Sequence, residues 1–211
     1  MVHDFSENYR CTERTELQSS YFQRSEVSIH VSIIHRHAVL EYDSVPDSEI
    51  GTEQFFAISD DLQHDRFFVA EVQWQISTYL KSIPIDIDNM IEFTDGCSCQ
   101  YKSRNCMGDI STVCSTLNYF KLSRNFYETS HARGPQDATG GFLKKQADLA
   151  VLRGKFEIQS TKHFFHFATA NLTEPKSGIY KRRMFRYIDF TKRGDQTIEY
   201  KPVKFIIFHL K

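Results

Sequence analysis

Apolar residues in this chain change their spacing several times, and each change predicts an element. Residues 2–5 have the character of a strand and lead into the polar stretch SENYRCTERTE. Within an extended region over 18–36, Val27, Ile29, Val31 and Ile33 alternate with Ser28, His30 and Ser32, the period of a strand with one face buried. The acid-rich segment 42–53, with Pro46 and Gly51, reads as a loop, and QFFAIS at 54–59 as a third strand ending at Asp60 and Asp61. Phe67, Val69, Ala70, Val72, Ile76, Tyr79 and Leu80 then recur at intervals of two to four, which predicts a helix over 66–80 with Pro84 beyond its end. A fourth strand over 90–94, a helix over 105–120 and a fifth strand over 125–129 follow. After the loop SHARGPQDATGG come helices over 142–153 and 161–170, and MFRYIDF and VKFIIFHL have strand character. The succession predicts an α/β domain with a mixed sheet flanked by helices.

Composition narrows the class. With 211 residues, 40% of them hydrophobic and 14% aromatic, the chain has enough apolar side chains for one core or one core with an appendage. The expected division is a core over 1–172, beginning inside its first strand, and a basic C-terminal extension over 173–211. Apolar runs fall short of the roughly 18 residues of a membrane span, and the start lacks signal-peptide character. A soluble protein with no membrane partner, nuclear or otherwise intracellular, is expected. Five cysteines form an odd set for which free thiols are the expectation. Cys97, Cys99, Cys106 and Cys114 are spaced C-x-C-x6-C-x7-C, which is not a pair of zinc knuckles.

Charge is divided unevenly. Residues 1–95 carry 6 Lys or Arg against 18 Asp or Glu, and residues 96–211 carry 20 against 9. An acidic half holding metal ligands beside a basic half suited to a polyanion fits a nuclease or transferase acting on nucleic acid, and two halves that complement each other within one fold fit equally.

The stretch MIEFTDGCSCQYKSR over 90–104 holds the first candidate for chemistry. A carboxylate just past the end of a strand projects into the crevice where α/β domains bind ligands, which makes Asp95 a candidate site residue, and Asp-Gly is also an ordinary turn pair. Asp60 and Asp61 are read as caps of the following helix in preference to metal ligands. His163 and His166 lack the third ligand and carboxylate of a zincin site, so they are expected to be ordinary helix histidines. KRRMFR over 181–186 suits nucleic-acid binding, nuclear targeting or a solvated basic stretch.

Four blocks occur in an order found in a known group: DFSENY, ISDDLQHD, FTDGCSCQYKSR and FYETSHARGPQDATGGFLKK. Together they resemble the core of a transposase-like family present in many copies in invertebrate genomes, over about residues 2–172. The resemblance implies a ribonuclease H-like catalytic domain of the DDE/DDD type, which the order of predicted elements also suits. On that resemblance Asp4 is the first-strand aspartate, Asp95 the aspartate after the fourth strand and Asp137 the third carboxylate before the following helix, with Glu128 or Asp148 as alternatives for the third place. The three would hold two Mg2+ or Mn2+ ions for cleavage and strand transfer of DNA, since these hard cations prefer oxygen ligands and a metal pair serves in-line attack at a phosphodiester.

Gln100, Lys102, Arg104, His131, Arg133, Lys144 and Lys145 are the candidate nucleic-acid contacts, with Tyr101 as a stacking ring. DNA is the expected partner, with a homo-oligomer possible. Three positions depart from the family: Ala132 and Ala138 stand where glycine is common, and Arg133 where lysine is. A repurposed, non-catalytic DNA-binding or interaction remnant and a ribonuclease H-like nuclease are the alternative readings.

Overall fold

The computed structural model describes residues 1–11, 25–117, 119–127, 134–176 and 178–190. Strands β1 (Val2–Arg10), β2 (Glu26–His37) and β3 (Ile50–Ser59) run antiparallel in succession. On one side β4 (Asn89–Thr94) lies parallel to β1 and β5 (Lys121–Phe126) parallel to β4. On the other, β6 (Arg182–Tyr187) lies parallel to β3, so the sheet continues past residue 172. The result is a six-stranded mixed sheet of order β5-β4-β1-β2-β3-β6, flanked by helices.

Helices on both faces make the centre of the sheet dry on both sides. On one face α4 (Pro135–Leu152) and α5 (Thr161–Leu172) supply Leu143, Ala147, Phe164 and Phe167 to a core with Val27, Ile29, Val31 and Ile33 of β2. On the other, α2 (Arg66–Lys81) and α3 (Arg104–Leu117) bring Phe68, Val72, Ile76 and Leu117 against Phe55, Ala57 and Ile34. The alternation in β2 therefore does not separate a buried face from a wet one, because Ser28, His30 and Ser32 are fully buried too. Each large apolar side chain removed from water here contributes about 1.5–3 kcal/mol.

Several element boundaries differ from those read in the sequence, each for a local reason. β1 continues through the polar Ser6–Arg10 because its backbone pairs with β2, with a register shift between Ser6 and Tyr9, while Asn8 and Arg10 bond to Glu26. The segment read as a loop over 42–53 carries the short helix α1 (Leu40–Asp43) and the first residues of β3. It is held by ions: Arg36 bonds to Asp43 at 2.7 Å and Glu53 at 2.8 Å, and Arg182 bonds to the same two acids. Arg183 donates to Gln54 and to the Leu172 carbonyl. Two cations of KRRMFR are thus engaged inside the fold, while Lys181 and Arg186 remain exposed, so the stretch is solvated only in part.

The cap of α2 is Asp65, whose carboxylate accepts from the amides of Phe67 and Phe68, and not Asp60 or Asp61. β5 begins four residues earlier than read, at Lys121. α4 begins at Pro135, well before the expected residue 142. Pro at the first helical position and an acid at the third favour that start, and they outweigh the two glycines that made 134–141 read as loop. His163 and His166 lie exposed on α5, as ordinary helix histidines do. The VKFIIFHL segment lies outside the described residues.

Gly140 is a point of close approach between α4 and the sheet. A Cβ there would sit 2.6 Å from Ser6 Oγ and 2.9 Å from Ser6 Cβ, so the missing side chain is what lets the helix rest directly on β1. Gly141, one position on, faces open space.

Candidate metal centre

The parity of β1 decides which side chains can meet. Asp4 pairs with Val31, whose side chain enters the α4/α5 core, so Asp4 and Ser6 face α4 while His3 and Phe5 face α2 and α3. In the parallel pair Val2 stands opposite Phe93, and continuing that register by two residues places Asp95, just past the end of β4, beside Asp4 on the same face. α4 then brings in the third acid. Gly140 seats on Ser6, and Asp137 is one helical turn earlier, over the Asp4 end of the strand.

The electrostatics record this proximity. The Asp4 carboxyl is pushed up to about 7, first by burial, then by the negative charge of Asp95 and further by that of Asp137, with the Phe5 amide opposing. Asp4 is half-buried, Asp95 half-buried and Asp137 exposed. Each carboxylate fixes one oxygen on a backbone amide: Asp4 Oδ1 on Phe5 N at 2.8 Å, Asp95 Oδ1 on Cys97 N at 3.1 Å, and Asp137 Oδ2 on Gly134 N at 3.0 Å. The second oxygen of each is the atom that would meet a cation.

Asp137 lies in the first turn of α4 rather than in a loop before it, so its position is set by the docking of a whole helix. Asp148 is exposed and eleven residues further along α4, about 16 Å down the axis. Glu128 lies outside the described residues. Three hard oxygen donors that repel one another suit a divalent cation in chemistry. Among the described residues, however, no three His, Cys, Asp or Glu side chains already stand close enough to hold one ion, so a cation would have to draw these three together.

The polar residues expected around the acids fall into two groups. Gln100, half-buried, and Lys102, exposed, belong to a single π-helical turn (Ser98–Lys102) directly after Asp95, and Arg104 is exposed at the start of α3. The Lys102 ammonium lies 5.3 Å from the Phe126 ring. Lys144, which donates to the Glu7 carbonyl, and the exposed Lys145 follow Asp137 along α4. His131 and Arg133 lie outside the described residues. Tyr101 is fully buried, so it cannot stack on a base as expected.

Beneath the acids, on the other side of the sheet, lies a polar network that the sequence did not suggest. Glu92 is 1% exposed and bonds to Arg124 at 2.9 Å and to Gln73 at 2.6 Å. Burial pushes its carboxyl up, but His3, Arg124 and Gln73 outweigh this and hold it at about 2. His3 is itself held below its ordinary value, mainly by burial, and its Nε2 is 3.9 Å from Glu92, beyond hydrogen-bond length, so Arg124 is the counter-charge. His3 Nδ1 meets His30 Nε2 at 3.3 Å, and His30 meets the Tyr101 hydroxyl at 3.2 Å. This network ties β1, β2, β4, β5 and the π turn together directly under Asp4 and Asp95.

A concavity of about 290 Å³ lies away from the acids, between the end of α2, residues 83–87 and Tyr119, and it contains none of the expected site residues.

Residues 1–190 match the model of a family described as a domain of unknown function, DUF8701. The chain belongs to the DUF8701 family. The match covers every described strand and helix, so the sheet, the three acids and the buried network all lie within the DUF8701 domain. No curated protein and no solved structure matches the chain. No helix among the described residues is long and apolar enough to cross a membrane.

Proposed function

We propose that this DUF8701 domain is a ribonuclease H-like domain of the DDE/DDD transposase type that cleaves and joins DNA phosphodiesters with Mg2+ or Mn2+. One observation carries the reading: Asp4, Asp95 and Asp137, from two neighbouring strands and a helix, face one region so closely that Asp95 and Asp137 both raise the Asp4 carboxyl. The sheet adds support. Three successive strands, then a helix, a strand, a helix, a strand and further helix is the succession expected of such a domain, and the mixed sheet is compatible with it. Asp4, Asp95 and Asp137 would hold the cations, which when bound lower the cost of charge at the attacking and leaving oxygens. The amides of Phe5, Cys97 and Gly134 aim the carboxylates. Lys102 and Arg104 on one side, and Lys145 on the other, would contact backbone phosphates and fix the strand across the acids. A protein acting on DNA in this way would work in the nucleus or another DNA-containing compartment inside the cell, alone or as a homo-oligomer.

The test is a magnesium-dependent nicking and strand-transfer assay on DNA, with Asp95→Asn as the comparison. Loss of both products in the variant is expected, and equal activity in the two chains removes Asp95 from the mechanism. Hydrolysis without joining favours a plain nuclease. A second reading, a DNA-binding remnant without chemistry, is favoured by the absence of three preassembled ligands among the described residues. It predicts salt-sensitive DNA binding that neither Mg2+ nor the Asp95 substitution alters.

A further inference from the structure

The loop that aims Asp95 carries two thiols with no part in the reading above. Cys97 Sγ and Cys99 Sγ are 3.2 Å apart, at the entrance to the π-helical turn. Cys99 is exposed and Cys97 half-buried, so a small reagent can reach the pair, while Cys106 is buried under Ser103 and the turn itself. A disulfide needs the sulfurs at about 2.05 Å, a movement of roughly 1 Å from where they stand. From this juxtaposition we propose that Cys97 and Cys99 form a reversible dithiol–disulfide site that is oxidised by small-molecule disulfides of the glutathione class.

Either thiol can attack first, because the two sulfurs share a contact in which either is the donor. In one order Cys97, having lost its proton to solvent, is the attacking sulfur. Its sulfur bonds to one sulfur of the oxidant, RS–SR, whose S–S bond breaks and releases RS⁻. Cys99 then gives its proton to solvent and attacks the Cys97 sulfur, forming the Cys97–Cys99 bond and expelling the second RS⁻. Two protein thiols are oxidised, one disulfide is reduced and two RSH leave. The Cys97 amide is also the donor that holds Asp95 Oδ1, so the bond closes inside the segment that sets this carboxylate.

Tryptic cleavage isolates the pair, because peptide 82–102 contains Cys97 and Cys99 and no other cysteine, whereas Cys106 and Cys114 fall on 105–121. The full chain is treated with oxidised glutathione, alkylated, digested and weighed. Expected is a peptide 82–102 lighter than the reduced form by two hydrogen atoms and carrying no alkyl group, restored by dithiothreitol, with Cys106 and Cys114 still alkylated. In Cys99→Ser the glutathione should remain on Cys97 as a stable mixed disulfide. A wild-type peptide that keeps two alkyl groups, or that retains bound glutathione as Cys99→Ser does, overturns the proposal. The readout needs neither cation nor DNA, so it stands or falls separately from the proposed chemistry of the acids.

Discussion

Replacing Asp4 by asparagine should stabilise the metal-free protein at alkaline pH. The carboxyl rises from 3.8 to about 7 on folding, because burial and the charges of Asp95 and Asp137 disfavour its ionised form. At about 1.4 kcal/mol per pH unit this corresponds to roughly 4 kcal/mol between its two protonation states. Solvent reaches the half-buried group and screens part of that, which leaves about 1–3 kcal/mol. The sign follows from linkage. Between pH 4 and 7 the folded state holds a proton that the unfolded state has lost, so stability falls as pH rises through this window, and above pH 7 the whole penalty is present. Asparagine carries no charge, and its Oδ1 still accepts from the Phe5 amide as Asp4 Oδ1 does. Urea denaturation in EDTA at pH 8 should therefore show Asp4→Asn more stable than wild type by about 1–3 kcal/mol. At pH 4.5 the two should agree within about 0.5 kcal/mol. An equal difference at both pH values, or a less stable variant at pH 8, would refute the claim that burial and neighbouring charge disfavour the ionised Asp4 carboxyl.

Manganese affinity measured by calorimetry should rise about tenfold from pH 6 to pH 8, since the ion must displace a proton from a carboxyl with a pKa of about 7, and a flat profile would exclude Asp4 as a ligand. Gly140→Ala should lower stability by about 1–3 kcal/mol, because the new methyl meets Ser6 at under 3 Å. Gly141→Ala, facing open space, should instead raise it by about 0.5–1 kcal/mol, and matching denaturation midpoints for the two variants would show that α4 does not rest on β1 through Gly140. Arg124→Leu should cost about 3–5 kcal/mol by leaving Glu92 charged and buried, while adding Glu92→Gln should recover much of it, and a strictly additive double-mutant cycle would contradict the pairing.

The strands and helices that repeat their pattern cleanly, α2, β4 and α5, could be placed from sequence within a residue or two. Elements whose stability comes from pairing or docking could not. Ser6–Arg10 has no strand alternation of its own and is held by β2, and the second turn of α4 contains two glycines that local propensity reads as loop. The buried network was hidden for a sharper reason. In MIEFT, residues 90–94, hydrophobicity alone would bury Ile91 and Phe93 and expose Glu92, yet Ile91 is 52% exposed, Phe93 38% and Glu92 1%. The inversion is forced by Asp95. Residues 91, 93 and 95 share a face, so a strand that presents Asp95 beside Asp4 must turn Glu92 inward.

An acid turned inward needs a counter-charge and donors, and Arg124 on the neighbouring strand and Gln73 on α2 supply them. The cost of burying Glu92 is thus tied to presenting Asp95, and the same network fixes β4 against β5 beneath Asp95. On the acids' own face the opposite economy holds. Among the described residues no cationic side chain bonds to Asp4, Asp95 or Asp137, and Gly140 brings α4 close enough for the charge of Asp137 to be felt at Asp4. One face of β4 therefore spends ionic partners to neutralise an acid that packing requires, while the other leaves three acids in mutual repulsion, which binding of a divalent cation would relieve.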